Sequence, residues 1–181
     1  QQIRVARGES LSFTQDDLKI HGHAIELRVC AEDPLNNFLP SVGKLIRYQE
    51  PSGDNIRVDA GYVEGMDIPI NYDPMIAKLV VHANNRTEAI QLMKTPTAAY
   101  HIECVSTTLS FGTFVMSHEA FISGHFDTNF VKQYYSADKI KDAQREKARI
   151  AALVALKHWL AARKEIKMAA PIASNWKSRL A

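Results

Sequence analysis

From His23 to Glu32 (HAIELRVCAE) the chain alternates without a break. Ile25, Leu27, Val29 and Ala31 fall on one side, and Ala24, Glu26, Arg28 and Cys30 on the other. Such a period predicts a strand with one face in a core and Glu26 and Arg28 side by side on the opposite face. Met75 to His82 (MIAKLVVH) is a second strand candidate, since its length and the Val80-Val81 pair favour strand over helix. Between them, Asp33 to Gly43 is rich in proline and asparagine and reads as loop. Lys44 to Gln49 and Ile56 to Asp59 read as two strands joined by a turn at Pro51 to Asn55. Ala60 to Tyr72 holds short strand-like pieces between glycines and a proline.

Helical spacing dominates the rest. Gln1 to Arg7 reads as a helical turn stopped by Gly8. Asn85 followed by Glu88 resembles a capping box, and Ala89, Ile90 and Met93 recur at helical intervals. Pro96 is expected to end or kink that helix, because proline removes a backbone donor and crowds the preceding turn. Thr107 or Thr108 is expected to cap a helix through Met116, and Asp127 another through Gln133. Ser136 to about Lys164 reads as one long helix, charged first and then rich in alanine and leucine, with Ile150, Leu153, Val154, Leu156, Trp159 and Leu160 as an apolar stripe. Met168 to Ala181 has no clear pattern. Strands early and helices late predict an α+β domain with a largely antiparallel sheet and flanking helices. The expected division is 1–135 for that domain and 136–181 for a long helix and linker towards a following domain.

Composition narrows the function classes. With 46% apolar and 23% charged residues the chain is globular rather than disordered. A net charge of +2 suggests no nucleic-acid or membrane surface, and no apolar run reaches spanning length. The cysteines Cys30 and Cys104 have no metal spacing, which favours a reducing compartment. The opening at Gln1, without methionine or a signal-like stretch, leads us to expect a piece of something longer.

Few residues suggest chemistry. Arg28, mid-strand and beside Glu26, offers a planar fork of donors to an anion if the carboxylate holds it; a solvated ion pair is the simpler alternative. Asp73, within Asn71-Tyr72-Asp73-Pro74, reads as a turn former, although Tyr72 beside it suits a pocket mouth. Lys78 reads as a lysine snorkelling from apolar neighbours. Lys167, in Ile166-Lys167-Met168, matches a biotin-acceptor motif only in part and lacks its strand-turn-strand setting, so no biotin is expected there. The eight glycines are scattered, and neither a phosphate loop nor an acidic metal cluster is visible, so no metal ligand is assigned.

Taken together, Gly22-His23-Ala24-Ile25-Glu26-Leu27-Arg28-Val29-Cys30-Ala31-Glu32-Asp33-Pro34, Phe38-Leu39-Pro40-Ser41, Gly43-Lys44, Arg57-Val58-Asp59 and Tyr72-Asp73-Pro74-Met75-Ile76-Ala77-Lys78-Leu79 resemble the C-terminal region of the biotin carboxylase family, in order and spacing. The resemblance covers about Gln1 to Tyr135. It implies the C-terminal part of an ATP-grasp enzyme that uses ATP, magnesium or manganese and bicarbonate to make carboxyphosphate, then carboxylates a ureido nitrogen of carrier-bound biotin. By the same resemblance Arg28 binds bicarbonate and biotin and steadies the biotin enolate, with Glu26 orienting it. Tyr72 and Asp73 lie near the biotin end of the site, and Arg57 lies at a subunit interface. Pro96 falls where the family has an uninterrupted helix, Cys104 and Ser106 where it usually has glycine and lysine, and Asp54 where it is often apolar.

The family's nucleotide- and metal-binding segments would precede Gln1, so the chain alone is expected to be inactive. Its implied partners are that preceding part, a biotin carboxyl carrier domain, further copies of itself and a carboxyltransferase subunit. The long helix followed by Ser174-Asn175-Trp176-Lys177 resembles propionyl-CoA and related acyl-CoA carboxylase subunits. The expected location is the cytoplasm, or the mitochondrial matrix in a eukaryote. The competing reading is a non-catalytic assembly module of the same complex.

Overall fold

The computed structural model describes residues 1–163. The chain divides into two compact units, Gln1–Ile140 and Lys141–Ala181. The first unit opens with α1 (Gln2–Ala6) and then builds β1 (His23–Cys30), β2 (Glu32–Asp33), β3 (Leu39–Pro40), β4 (Gly43–Lys44), β5 (Arg47–Gln49), β6 (Ile56–Ala60), β7 (Asp67–Ile68) and β8 (Met75–Ala83). There follow α2 (Arg86–Ala99), β9 (His101–Glu103), α3 (Leu109–Ser117), α4 (Glu119–Ser123) and α5 (Phe130–Tyr134), and α6 (Ala137–Arg163) begins within the same unit.

The centre is a three-stranded sheet in the order β1-β8-β6. Both pairings are antiparallel, with Arg28 opposite Lys78 and Lys78 opposite Asp59. Short antiparallel pairs β2-β3, β4-β7 and β5-β9 surround it. The α+β reading with a largely antiparallel sheet therefore holds. The alternation in β1 lands as expected: Ile25, Leu27, Val29 and Ala31 are buried, as are Ala77, Leu79 and Val81, their neighbours on the same face of β8. Each of the valine, leucine and isoleucine side chains contributes roughly 2 kcal/mol through the apolar area it removes from water.

The hairpin expected from Lys44 to Gln49 and Ile56 to Asp59 is not formed. The first stretch splits at fully buried Leu45. β5 then pairs with distant β9, held by Arg47–Glu103 at 3.6 Å and by a 2.5 Å bond between the Tyr48 and Tyr100 hydroxyls, while β6 pairs with β8. Burial pushes both tyrosine hydroxyls above their usual range.

Helices α2 and α3 cover the apolar face of β1 and β8. The Asn85 side chain caps α2 by accepting from the Glu88 N–H at 3.0 Å, while Ala89, Ile90 and Met93 are buried. Of the stop or kink expected at Pro96, the stop does not occur: α2 continues to Ala99 with Pro96 fully buried. The ring removes one donor, that for the Leu92 carbonyl, and the Thr97 hydroxyl donates to the Met93 carbonyl at 2.7 Å on the next turn. Packing of the buried face outweighs one missing bond, so tertiary context overrides a local breaker. Helix α3 sits close on β1 because position 112 is glycine; a β-carbon there would stand 2.6 Å from a Leu27 methyl.

In the second unit, α6 from Lys141 carries Ile150, Leu153, Val154, Leu156 and Leu160, each about half exposed. Lys167 and the tail from Met168 lie outside the described residues.

Candidate functional site

Burying one face of β1 and β8 forces their other residues onto the opposite face of the sheet. That face carries Glu26 and Arg28 on β1, Lys78, Val80 and His82 on β8, and Arg57 and Asp59 on β6. The register lines up Arg28, Lys78 and Asp59 in one row and Glu26, Val80 and Arg57 in the next. Asp59, which sequence reasoning passed over, organises the far side. It accepts from Arg57 Nε at 2.8 Å and stands 3.5 Å from Lys78 Nζ. The Arg57 bond, then the neighbouring cations, hold its carboxyl below the usual carboxylate range. Lys78 is thus an ion-paired lysine rather than one snorkelling alone, and the Arg57-x-Asp59 spacing on one strand face was the available signal.

Arg28 is placed differently. Its Nε is 3.3 Å from Glu26 Oε1, and its side chain is 72% exposed. Among the described residues its two Nη groups meet no partner. The carboxylate engages one edge of the guanidinium and leaves the terminal donors open, an arrangement suited to an anion.

The end of β1 is fixed by contacts on both sides. Its register with β8 shifts between Val29 and Cys30. There the Ala31 N–H donates to the Pro74 carbonyl at 2.7 Å, and the Ser41 N–H donates to the Ala31 carbonyl at 2.8 Å. The Tyr72-Asp73-Pro74 turn is thereby anchored beside the strand end. Asp73 acts within that turn as its position before proline predicts, its Oδ1 accepting from the Met75 N–H at 2.8 Å, and Tyr72 is largely exposed. No direct bond joins either residue to Arg28 among the described residues. Burial, then Glu32 and Asp73, push the Cys30 thiol up to about 11, with Arg28 opposing. Burial and Asp73 likewise raise the Glu32 carboxyl. Charges from Arg28, Glu32 and Asp73 therefore converge on Cys30.

Thr108 meets β1 from the other edge. Its hydroxyl accepts from the Cys30 N–H at 3.0 Å and donates to the Arg28 carbonyl at 2.8 Å. Among the described residues no three His, Cys, Asp or Glu side chains stand close enough to share a metal ion. No helix among them is long and apolar enough to cross a membrane.

A sheet covered on one face by helices, with Arg28 exposed beside Glu26 on the other, defines an α+β domain. The chain belongs to the biotin carboxylase C-terminal domain family, whose model matches residues 26–133. It is 48% identical over 134 residues to a pyruvate carboxylase subunit of Methanothermobacter thermautotrophicus, covering 74% of this chain and 27% of that one. It is 39% identical to the propionyl-CoA carboxylase alpha chain of Ruegeria pomeroyi, covering 89% of this chain and 27% of that one. Its fold matches the biotin carboxylase domain of the Hydrogenobacter thermophilus 2-oxoglutarate carboxylase, solved as a dimer in complex with MgADP, ADP and bicarbonate. That match has a TM-score of 0.71 at 38% identity, covering 74% of this chain and 29% of that one. The chain therefore spans under a third of the relatives it matches.

Proposed function

We propose that the chain supplies the Arg28 wall of the biotin and bicarbonate site in a larger biotin-dependent carboxylase. The carrying observation is the open guanidinium of Arg28, steadied at one edge by Glu26 and standing beside the anchored Tyr72-Asp73 turn. Preorganised donors of this kind stabilise charge as it develops on a substrate oxygen. Here the Nη groups hold bicarbonate, then face the biotin ureido oxygen, while Glu26 fixes the guanidinium plane. Tyr72 and Asp73 border the biotin end, and Arg57 belongs to a contact between copies. ATP and magnesium or manganese are held by residues outside this chain. The carrier domain and a carboxyltransferase are the remaining partners, in the cytoplasm or the mitochondrial matrix. An acyl-CoA end product, propionyl-CoA first, is supported by likeness to the Ruegeria alpha chain over 89% of the chain, against 74% for the pyruvate enzyme. The division at about residue 135 is our reading of where the carboxylase domain gives way to a linker.

The test is Arg28→Ala in the complete carboxylase. Removing a preorganised donor typically costs about a hundred- to a thousand-fold in turnover. Biotin carboxylation should fall by that order, with the KM for ATP nearly unchanged. Near-wild-type carboxylation overturns the reading and favours the second one, a non-catalytic assembly module. That alternative draws on the half-exposed apolar residues of α6.

A further inference from the structure

We propose that Thr108 is a positioning residue for Arg28, locking the free edge of β1 where the arginine leaves the strand. The proposal rests on the reading of Arg28 above. In the order β1-β8-β6 the strand β1 is an edge, so its outward amide and carbonyl groups lack a neighbouring strand. At the functional end Thr108 takes that neighbour's place. Its hydroxyl accepts from the Cys30 N–H at 3.0 Å and donates to the Arg28 carbonyl at 2.8 Å. Its own N–H donates to the Cys30 carbonyl at 3.1 Å. One hydroxyl hydrogen and one lone pair are both used, which suits a threonine or serine and no aliphatic residue.

Two further observations separate this role from ordinary helix capping. Thr108 stands at the N-cap of α3, yet its side chain makes no capping bond; the hydroxyl is diverted to the strand. The contact also falls where β1 slips its register against β8, between Val29 and Cys30, so the regular ladder is interrupted where Thr108 binds. The anchor itself is firm. Thr108 is buried, and α3 is seated on β1 through Gly112 against Leu27.

The consequence reaches the guanidinium by leverage. The group lies roughly 6–7 Å from its Cα, so a backbone tilt of about 10° moves it by roughly 1 Å, enough to spoil a productive geometry. Glu26 limits the side chain's rotation but does not hold the backbone. Thr108 does.

The experiment uses the complete carboxylase and measures carboxylation of free biotin, the KM for ATP and the thermal melt. Thr108→Val keeps the shape and removes both hydroxyl bonds; it should lower kcat roughly tenfold with the KM for ATP within about twofold of wild type. Thr108→Ser should recover kcat to within about twofold. In an Arg28→Ala background, Thr108→Val should lower kcat no further, because the two changes act through one group. If Thr108→Val does not accumulate, Thr108→Cys, a weaker donor of similar size, should show an intermediate loss. Wild-type turnover in Thr108→Val, or in Thr108→Cys where that stands in, overturns the proposal. So does the same fractional loss with and without Arg28. If Arg28→Ala itself leaves carboxylation intact, the underlying reading of Arg28 fails instead.

Discussion

Arg28 and Lys78 stand directly opposite each other on adjacent strands, two cations in a position where like charges repel. Each has its own acid: Glu26 lies 3.3 Å from Arg28 Nε, and Asp59 lies 3.5 Å from Lys78 Nζ while also holding Arg57. Asp59 thus draws the lysine away from Arg28. Asp59→Asn should lower the thermal melt at neutral pH, since Lys78 is left facing only a like charge. The sign with pH follows from the lowered carboxyl. A depressed pKa contributes stability that is present above the unfolded value, near 3.8, and is lost as pH falls through the folded one. Melts of both proteins from pH 7 to pH 2 should therefore converge at the acid end. Equal melts at pH 7, or a gap that persists unchanged at low pH, would count against this.

Replacing the arginine by lysine separates charge from geometry. Arg28→Lys keeps one positive charge near Glu26 but loses the planar fork that the Nη groups present. In the complete carboxylase, biotin carboxylation should fall between wild type and Arg28→Ala, and the KM for ATP should not move. If the arginine were only a surface ion pair, neither change would alter turnover and each would shift stability by less than about 1 kcal/mol. Steady-state kinetics on the two variants side by side decide it.

What could be read in the sequence was local. The alternation around Arg28 predicted both its strand and its face, and Asn85 followed by Glu88 predicted the start of α2, because side-chain period and caps act within a few residues. Long-range pairing was not legible. Nothing near Arg47 tells it to find Glu103, so a hairpin looked simpler than the β5-β9 pair. Pro96 announced a stop or a kink, and buried packing cancelled the stop; Lys78 looked solitary because Asp59 comes from another strand. Thr108 was visible only as one of two candidate caps beside Thr107, and its bonds to Arg28 and Cys30 cross about eighty residues of chain.

The two cysteines should differ sharply in reactivity. Only the thiolate is an effective nucleophile. Cys30 is half-buried, and its thiol is pushed up to about 11, first by burial and then by Glu32 and Asp73. At pH 8 that leaves about one molecule in a thousand as thiolate. Cys104 is exposed. Iodoacetamide at pH 8, followed by peptide mass spectrometry, should label Cys104 well ahead of Cys30. Glu32→Gln, which removes one of the negative charges acting on the thiol, should speed labelling of Cys30. Labelling of Cys30 as fast as Cys104 in the native chain would contradict this account.

Cys104 occupies a backbone position that belongs to glycine. Its φ is +80°, in the left-handed region where a β-carbon crowds the following carbonyl. The side chain is exposed and its thiol bonds to nothing among the described residues, so the strain is not repaid by packing. Relief of that strain should contribute about 1–2 kcal/mol, and the greater freedom of glycine in the unfolded chain should offset about 0.5–1 kcal/mol. Cys104→Gly is therefore expected to stabilise the fold by roughly 0.5–1 kcal/mol, raising the midpoint by about 1–4 °C for a chain of this size. Cys104→Ala is the control, because it removes the thiol and keeps the β-carbon. It should melt close to wild type. Thermal or urea unfolding of all three proteins separates the terms: a gain in Cys104→Ala equal to that in Cys104→Gly would place the effect in the thiol, and a loss in Cys104→Gly would show that no strain was stored at this turn.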